Sequence, residues 1–391
     1  VNLAPFRTVL ALPGVRPLML LMLFARIPPT AAGVTVTLHV VTTLDKGYAA
    51  AGTVGFATMI GLGLGSPLMG KLVDSRGLRF VLALSLLEGL FWVTAPLMDY
   101  TVLLVLAFAN GLVAVPVISI GRQALTALVP LPQRRPAFSL DSISVELSFM
   151  VGPAAGVLIA TEFSTGTALV VIGVSILAAS AVLFAVNPVL VHEDEDVSGP
   201  QPRVREWLRG PVLAALIIPF GATVALSGME IASIASLEQA GKQSWLSVVF
   251  VVMCAASALG GLVYGSLKRV PGGVVLLACM ALLEIPVGLG DGSVVLLALA
   301  LVPMNLVCAP TISASTELIS RHAPPAARGL ALGLQGSAFT FGVAAGQPLA
   351  GLAVDHSGPP LGFVVAGLAG LVIAGLGWLF SRQRQAVSVT S

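Results

Sequence analysis

The sequence is poor in charge, in cysteine and in aromatic side chains, and each shortage excludes something. Asp, Glu, Lys and Arg make up only 10% of the 391 residues, where soluble domains carry about a quarter. The formal net charge is +2, with no basic block for a nucleic-acid partner and no acidic tail. Cys254, Cys279 and Cys308 each lie in an apolar run and share no metal-ligand spacing, which excludes a disulfide framework or a zinc site. No nucleophile with a base, no His/Asp/Glu metal constellation and no phosphate-binding glycine loop is found, so neither an enzyme nor a metal or other cofactor is expected. Aromatics account for 6%. A cavity walled by aromatic rings for lipophilic cations would have to draw on Phe24, Phe149, Phe220, Phe339 and Phe341.

Apolar surface is what the chain has in excess. Hydrophobic residues make up 57% of it and the mean hydropathy is +0.99, more than a soluble globule can bury. Runs of about 18 or more apolar residues recur, each long enough to cross a hydrocarbon core as a helix. The first is too long, and too soon followed by others, to be a cleaved signal peptide. Polar and Gly/Pro-rich punctuation predicts twelve helices, starting near residues 15, 48, 79, 102, 138, 165, 211, 244, 274, 293, 330 and 360. With a cytoplasmic N-terminus, seventeen basic residues fall on the cytoplasmic side, while Lys46 and Lys242 alone fall on the outer side. That bias predicts two cytoplasmic termini. Sixteen arginines against four lysines suggest a GC-rich bacterial genome, hence a multi-pass protein of a bacterial cytoplasmic (inner) membrane.

The chain is also a repeat. "NGLVAVPVIS" from Asn110 returns as "NLVCAPTIS" from Asn305, and "PLPQRRPAFSL" (130–140) returns as "PPAARGLALGL" (324–334). Lys46 and Lys242, and Glu88 and Glu284, follow about the same half-chain shift. The expected fold is an all-α membrane protein of twelve transmembrane helices in two pseudo-symmetric six-helix bundles, with a site near the midplane between them. The predicted units are residues 1–187, a polar linker at 188–210 whose basic, Trp-containing end lies along the membrane surface, and residues 211–391.

Between the second and third spans runs "GSPLMGKLVDSRGLRFVL". The chain here resembles the major facilitator superfamily, whose loop at this place reads G-x-L-x-D-[RK]-x-G-R-[RK]. Gly70, Leu72, Asp74, Gly77 and Arg79 match, whereas Ser75 and Leu78 stand where basic residues are usual. The resemblance implies a cytoplasmic gating loop: glycines allow close approach, and Asp74 suits a helix N-terminus or a partner such as Arg76 or Arg79. In "SFMVGPAAGVLIA", Gly152, Pro153 and Gly156 are similar to the G-P-x-x-G-G signature of the antiporter, largely exporting, branch, with Val157 in place of the last glycine. The R-x-x-Q-G pattern that proton-coupled drug exporters show in span four is missing, since "AFANG" has Ala107 where the arginine belongs. Arg122, near the end of that span, is expected to serve the loop.

Arg26 stands about 11 residues into span one, about 16 Å deep. Exposed to lipid it would cost between about 3 and 10 kcal/mol, so it must face protein or a wet cavity. Pro28 and Pro29 weaken the helix beside it, and the resemblance puts span one at the central cavity. Glu146, at similar depth in span five, is the expected partner, with a structural ion pair as the alternative to a role in substrate or proton coupling. Glu230 is a further acidic candidate, and Asn110 and Asn305 are candidates to hydrogen-bond the substrate. Glu88, Glu284 and His39 are expected to be mainly structural. The reading is a monomeric secondary transporter that exports a small molecule, such as a drug, in exchange for protons. A proton-coupled uptake permease of the same fold is the alternative.

Overall fold

In the computed structural model, residues 3–191, 202–267 and 269–382 are described. Residues 192–201 of the predicted linker, Lys268 and Arg384 lie outside them. Among the described residues, twelve helices are long and apolar enough to cross a membrane. A short helix α1 (Ala4–Ala11) precedes α2 (Val15–Leu38), α3 (Tyr48–Arg76) and α4 (Leu78–Thr94). Span four consists of α5 (Tyr100–Val113) and α6 (Val117–Leu128), followed by α7 (Arg134–Glu162) and α8 (Thr165–Val186). After α9 (Val204–Trp207) come α10 (Pro211–Gln239), α11 (Leu246–Ser266), α12 (Gly273–Glu284), α13 (Val294–His322), α14 (Arg328–Ser357) and α15 (Pro359–Arg382). Helix is the form these stretches must take, because it satisfies every backbone polar group within the segment. Where helices begin outside lipid, side chains complete the job: Asp99 accepts from Val102 N–H and Ser164 from Thr167 N–H, both at 2.9 Å.

The repeat is visible in the packing. In the first bundle α2 packs on α7, α3 on α5 and α4 on α8, and the second bundle repeats these pairs as α10 on α14, α11 on α13 and α12 on α15. Between the bundles α3 meets α14 and α7 meets α11, so that spans two and eight exchange roles across the seam. Separate apolar clusters fill the bundles, around Met22, Leu125 and Phe138 in one and around Met229, Met280 and Phe363 in the other.

Successive crossings put the α3–α4, α6–α7 and α13–α14 connections at one end, here termed the basic face because Arg76, Arg79, Arg134, Arg135, Arg321 and Arg328 lie there. Two features were not expected. Helix α1 tucks Phe6 and Val9 into the protein against α2, α7 and α11. Span four is broken at residues 114–116, where Pro116 has no N–H to continue the ladder. The Val115 N–H exposed by the break donates to Glu88 Oε2 at 3.0 Å. The matching α13 runs unbroken through Pro310, and Glu284 is fully buried with neither oxygen hydrogen-bonded among the described residues. Trp207 of α9 packs against Val212, Ala215 and Ile319.

Candidate functional site

Arg26 does not pair with Glu146. Its Nη2 donates to Asp141 Oδ1 at 2.6 Å, and the other carboxylate oxygen, Oδ2, accepts from Arg122 Nε at 3.1 Å. Helical geometry explains the correction. A helical side chain slants toward its own N-terminus, so Arg26 on α2 leans toward the basic face and meets the carboxylate lying lower on α7. Five residues separate Asp141 from Glu146, a rotation of about 140°, so the two carboxylates leave α7 on different sides. Asp141 escaped notice because span five was predicted to start near 138, which put it in the first turn. The helix starts at Arg134, and the dense polar stretch Ser139, Asp141, Ser142 and Ser144 was the available signal.

Arg122 is likewise not a loop residue. It is 3% exposed, against 2% for Arg26 and 3% for Asp141. Its Nη1 donates to Gln335 Oε1 of α14 at 3.1 Å, and its guanidinium carbon lies 5.5 Å from the centre of the Phe339 ring. The Gln335 amide nitrogen donates in turn to Ser315 and Thr316 hydroxyls of α13 at 2.7 and 3.2 Å. A chain of buried polar groups thus crosses from α2 through α7 and α6 into the second bundle.

Glu146 sits on the seam itself. Its Oε1 accepts from the Ser257 hydroxyl at 3.0 Å, and the thiols of Cys308 and Cys254 stand 3.8 and 4.0 Å from its oxygens. All three partners belong to the second bundle. Glu230 is half-buried and has no hydrogen-bond or ion-pair partner among the described residues. Asn110 and Asn305 are buried inside their own bundles and bond neither Arg26 nor Glu146. The Asn305 amide donates to Leu301 O at 2.9 Å, while Asn110 Oδ1 accepts nothing among the described residues. His39 and Thr43, in the last turn of span one beyond α2, meet the Thr165 hydroxyl at 3.0 and 2.7 Å and tie that span to α8.

The loop residues close the basic face. Asp74 accepts from the Gly329 and Leu330 amides at 2.9 and 2.8 Å, at the N-terminus of α14, and from the Gln123 amide at 3.3 Å. Its partner is therefore a helix N-terminus, not Arg76 or Arg79, which lie over the rings of Phe80 and Phe184. Gly77 has φ +85°, a backbone open to glycine, at the turn from α3 into α4. A Cβ on Gly70 would come within 2.2 Å of Gly329 O. Further links join the same side: Ser119 to Leu332 O at 3.0 Å, Arg134 to Ser320 O at 3.0 Å, Arg135 to Glu317 at 3.2 Å, and Ser142 to Ser313 at 3.0 Å. Glu317 also pairs with Arg321 one turn along α13. Ser337, donating to Gly63 O at 2.5 Å, marks the far end of this zipper.

The glycine–proline motif does a different task. Cβ atoms on Gly152 and Gly156 would fall 2.0 and 2.6 Å from the Thr30 and Thr35 hydroxyls, so small residues there let α7 lie close against α2 beside the buried charges.

Two six-helix bundles that share a seam, closed at one face over buried charge, define a multi-pass membrane transporter. The sequence matches the family profile described as Major Facilitator Superfamily over residues 18–273 and 212–391, and the chain belongs to that family. Among curated proteins no sequence matches it. Its fold is similar to the human organic anion transporter MFSD10 (TETRAN), at 15% identity and a TM-score of 0.72, covering 93% of this chain and 100% of that one. It is also similar to the proton:xylose symporter XylE bound to 6-bromo-6-deoxy-D-glucose, at 15% identity and a TM-score of 0.70, over 94% and 96%. A third likeness is to a bacterial homologue of the iron transporter ferroportin in an outward-facing state, at 14% identity and a TM-score of 0.72, over 94% and 99%.

Proposed function

We propose that this transporter exports a small molecule across a bacterial cytoplasmic membrane in exchange for protons, working as a monomer with a cytoplasmic basic face. The carrying observation is the place of Glu146, a half-buried carboxylate of one bundle whose donors among the described residues all belong to the other. Parting the bundles at the basic face removes Ser257, Cys254 and Cys308 from it together. Parting replaces these donors and the enclosing apolar walls with water, so the two states hold a proton on Glu146 with different affinity. Coupling then needs no further group: proton uptake on Glu146 favours one state and proton release the other. Asp74 and the glycines of its loop act as the latch of the closed state, Arg26 supports the site through Asp141, and Glu230 is the candidate for substrate contact.

The glycine–proline motif supports the export direction, as in the antiporter branch it resembles. The likeness to a proton symporter keeps uptake as the second reading. Inside-out vesicles holding a pH gradient decide both points. Sugars, amino acids, carboxylates and lipophilic cations are added in turn, and gradient collapse is followed by a fluorescent amine. A compound that collapses the gradient with the parent and fails with Glu146→Gln supports the proposal. An equal response from Glu146→Gln defeats it, and a response confined to right-side-out vesicles favours uptake.

A further inference from the structure

We propose that the Arg26–Asp141–Arg122 network is an anion site, and that it takes an organic monocarboxylate on Arg122 when the bundles part at the basic face. The proposal rests on the alternating-access reading above. Its first support is a charge count. Two guanidiniums, 2% and 3% exposed, share one carboxylate that is 3% exposed, which leaves one buried positive charge uncompensated. Arg26 Nε, also buried, has no hydrogen-bond partner among the described residues. A lone charge of this kind is costly in a low-dielectric interior, and a single added anion removes the imbalance.

The second support is where the network meets the seam. Among the described residues the only hydrogen bond of Arg122 to the second bundle is to a neutral amide, and Gln335 is itself tethered to Ser315 and Thr316. When α14 leaves, Gln335 leaves with it, and the guanidinium Nη atoms are freed with nothing anionic in exchange. None of the other seam carboxylates meets Arg122 in the closed state: Glu317 pairs with Arg135 and Arg321, Asp74 with the α14 amides, and Glu146 with Ser257, and Glu317 keeps Arg321 on its own helix when the seam opens. A freed guanidinium presents the planar fork that matches a carboxylate in two parallel bonds. Phe339 stands over the same guanidinium in the closed state, and that place becomes room for the organic part of the ligand. Asp141 holds the fork in position from behind through Nε, so it is a positioning residue and not the ligand's own contact.

The test is thermal unfolding of the detergent-purified chain with benzoate, lactate and gluconate, against benzamide as the neutral counterpart of benzoate and tetraphenylphosphonium as a cation. A ligand that binds the folded protein raises its melting temperature with concentration. At least one carboxylate is expected to do so while benzamide does not. Gln335→Glu, which supplies the missing negative charge from within, is expected to weaken that response at least about tenfold in concentration, with the unliganded protein no less stable. Arg122→Lys, which keeps the charge and loses the fork, serves as the second variant and is expected to weaken it as well. The proposal is overturned if no carboxylate stabilises the parent, or if both variants respond as the parent does. Gradient collapse in vesicles keeps this failure separate from that of the transport reading. Cations that move protons while carboxylates neither bind nor move overturn the anion site alone, whereas carboxylates that bind without moving protons overturn the exchange mechanism alone.

Discussion

Arg122 of the first bundle donates to Gln335 of the second at 3.1 Å, both side chains being nearly inaccessible to solvent. Through Asp141 this contact reaches back to Arg26 on the first span. The energetics of the fold and the movement of the bundles therefore meet at the same group.

Asp141 is the keystone of that group. Asp141→Asn leaves two buried guanidiniums without a carboxylate and is expected to cost about 3 to 5 kcal/mol of folding stability. The double variant Asp141→Asn/Arg122→Gln removes part of the stranded charge, so its loss should be smaller than the sum of the two single losses. A thermodynamic cycle from unfolding of the detergent-purified proteins measures the coupling, and strict additivity would contradict the shared network.

Closure of the basic face depends on backbone contact at Gly70 and Gly329. A Cβ on Gly329 would lie 2.5 Å from Asp74 Oδ1 and 2.6 Å from Gly70 O, so Gly70→Ala or Gly329→Ala should force the bundles apart there without unfolding either. The reporter is a Ser142→Cys/Ser313→Cys pair, whose parent hydroxyls lie 3.0 Å apart. The disulfide-linked peptide, quantified by mass spectrometry after mild oxidation, should fall several-fold with either alanine and stay at the parent level if the contact is dispensable.

Removing the latch charge should act in the same direction. Asp74 accepts two amide bonds at the α14 N-terminus, and such charge-assisted bonds contribute about 1.5 to 3 kcal/mol each. Asp74→Ala is therefore expected to lower the closed population by about tenfold or more, read by the same cross-link. Asp74→Asn, which retains an acceptor oxygen, should fall between Asp74→Ala and the parent.

The two repeated glutamates should answer oppositely to removal. Glu88 holds the Val115 N–H at the break in span four, and Glu88→Ala leaves that amide unpaired at a cost of about 1 to 3 kcal/mol. Glu284 has no such partner among the described residues, because Pro310 lies in an unbroken helix where the first bundle has its break. Glu284→Leu, similar in volume, should leave stability unchanged or raise it. Melting temperatures of the two variants check the contrast, and a large loss from Glu284→Leu would refute it.

Much of the architecture was legible in the residues. Twelve apolar runs, their punctuation and the half-chain repeat state the bundle, because lipid forces each run into a helix and hydropathy alone finds it. The motif carrying Gly70, Asp74 and Gly77 pointed to the loop that closes the basic face, since its turn and close approach are local demands on residue type. The short helix α1 has too few residues for a clear period, and the break at 114–116 depends on Glu88 coming from another span to satisfy the freed amide.

The charge pairing was the other part hidden from the sequence. That Arg26 needs an anion follows from depth alone, but which anion depends on the slant of a side chain and on the face of α7 that meets α2. Five residues decide between Asp141 and Glu146, less than the error in a predicted helix boundary combined with a turn of rotation. Composition and periodicity thus set the spans, their order and their duplication, for these are properties of each segment in lipid. Packing set the partners of Arg26, Arg122 and Glu146, since a buried charge takes whichever counter-group the neighbouring helices bring within about 3 Å.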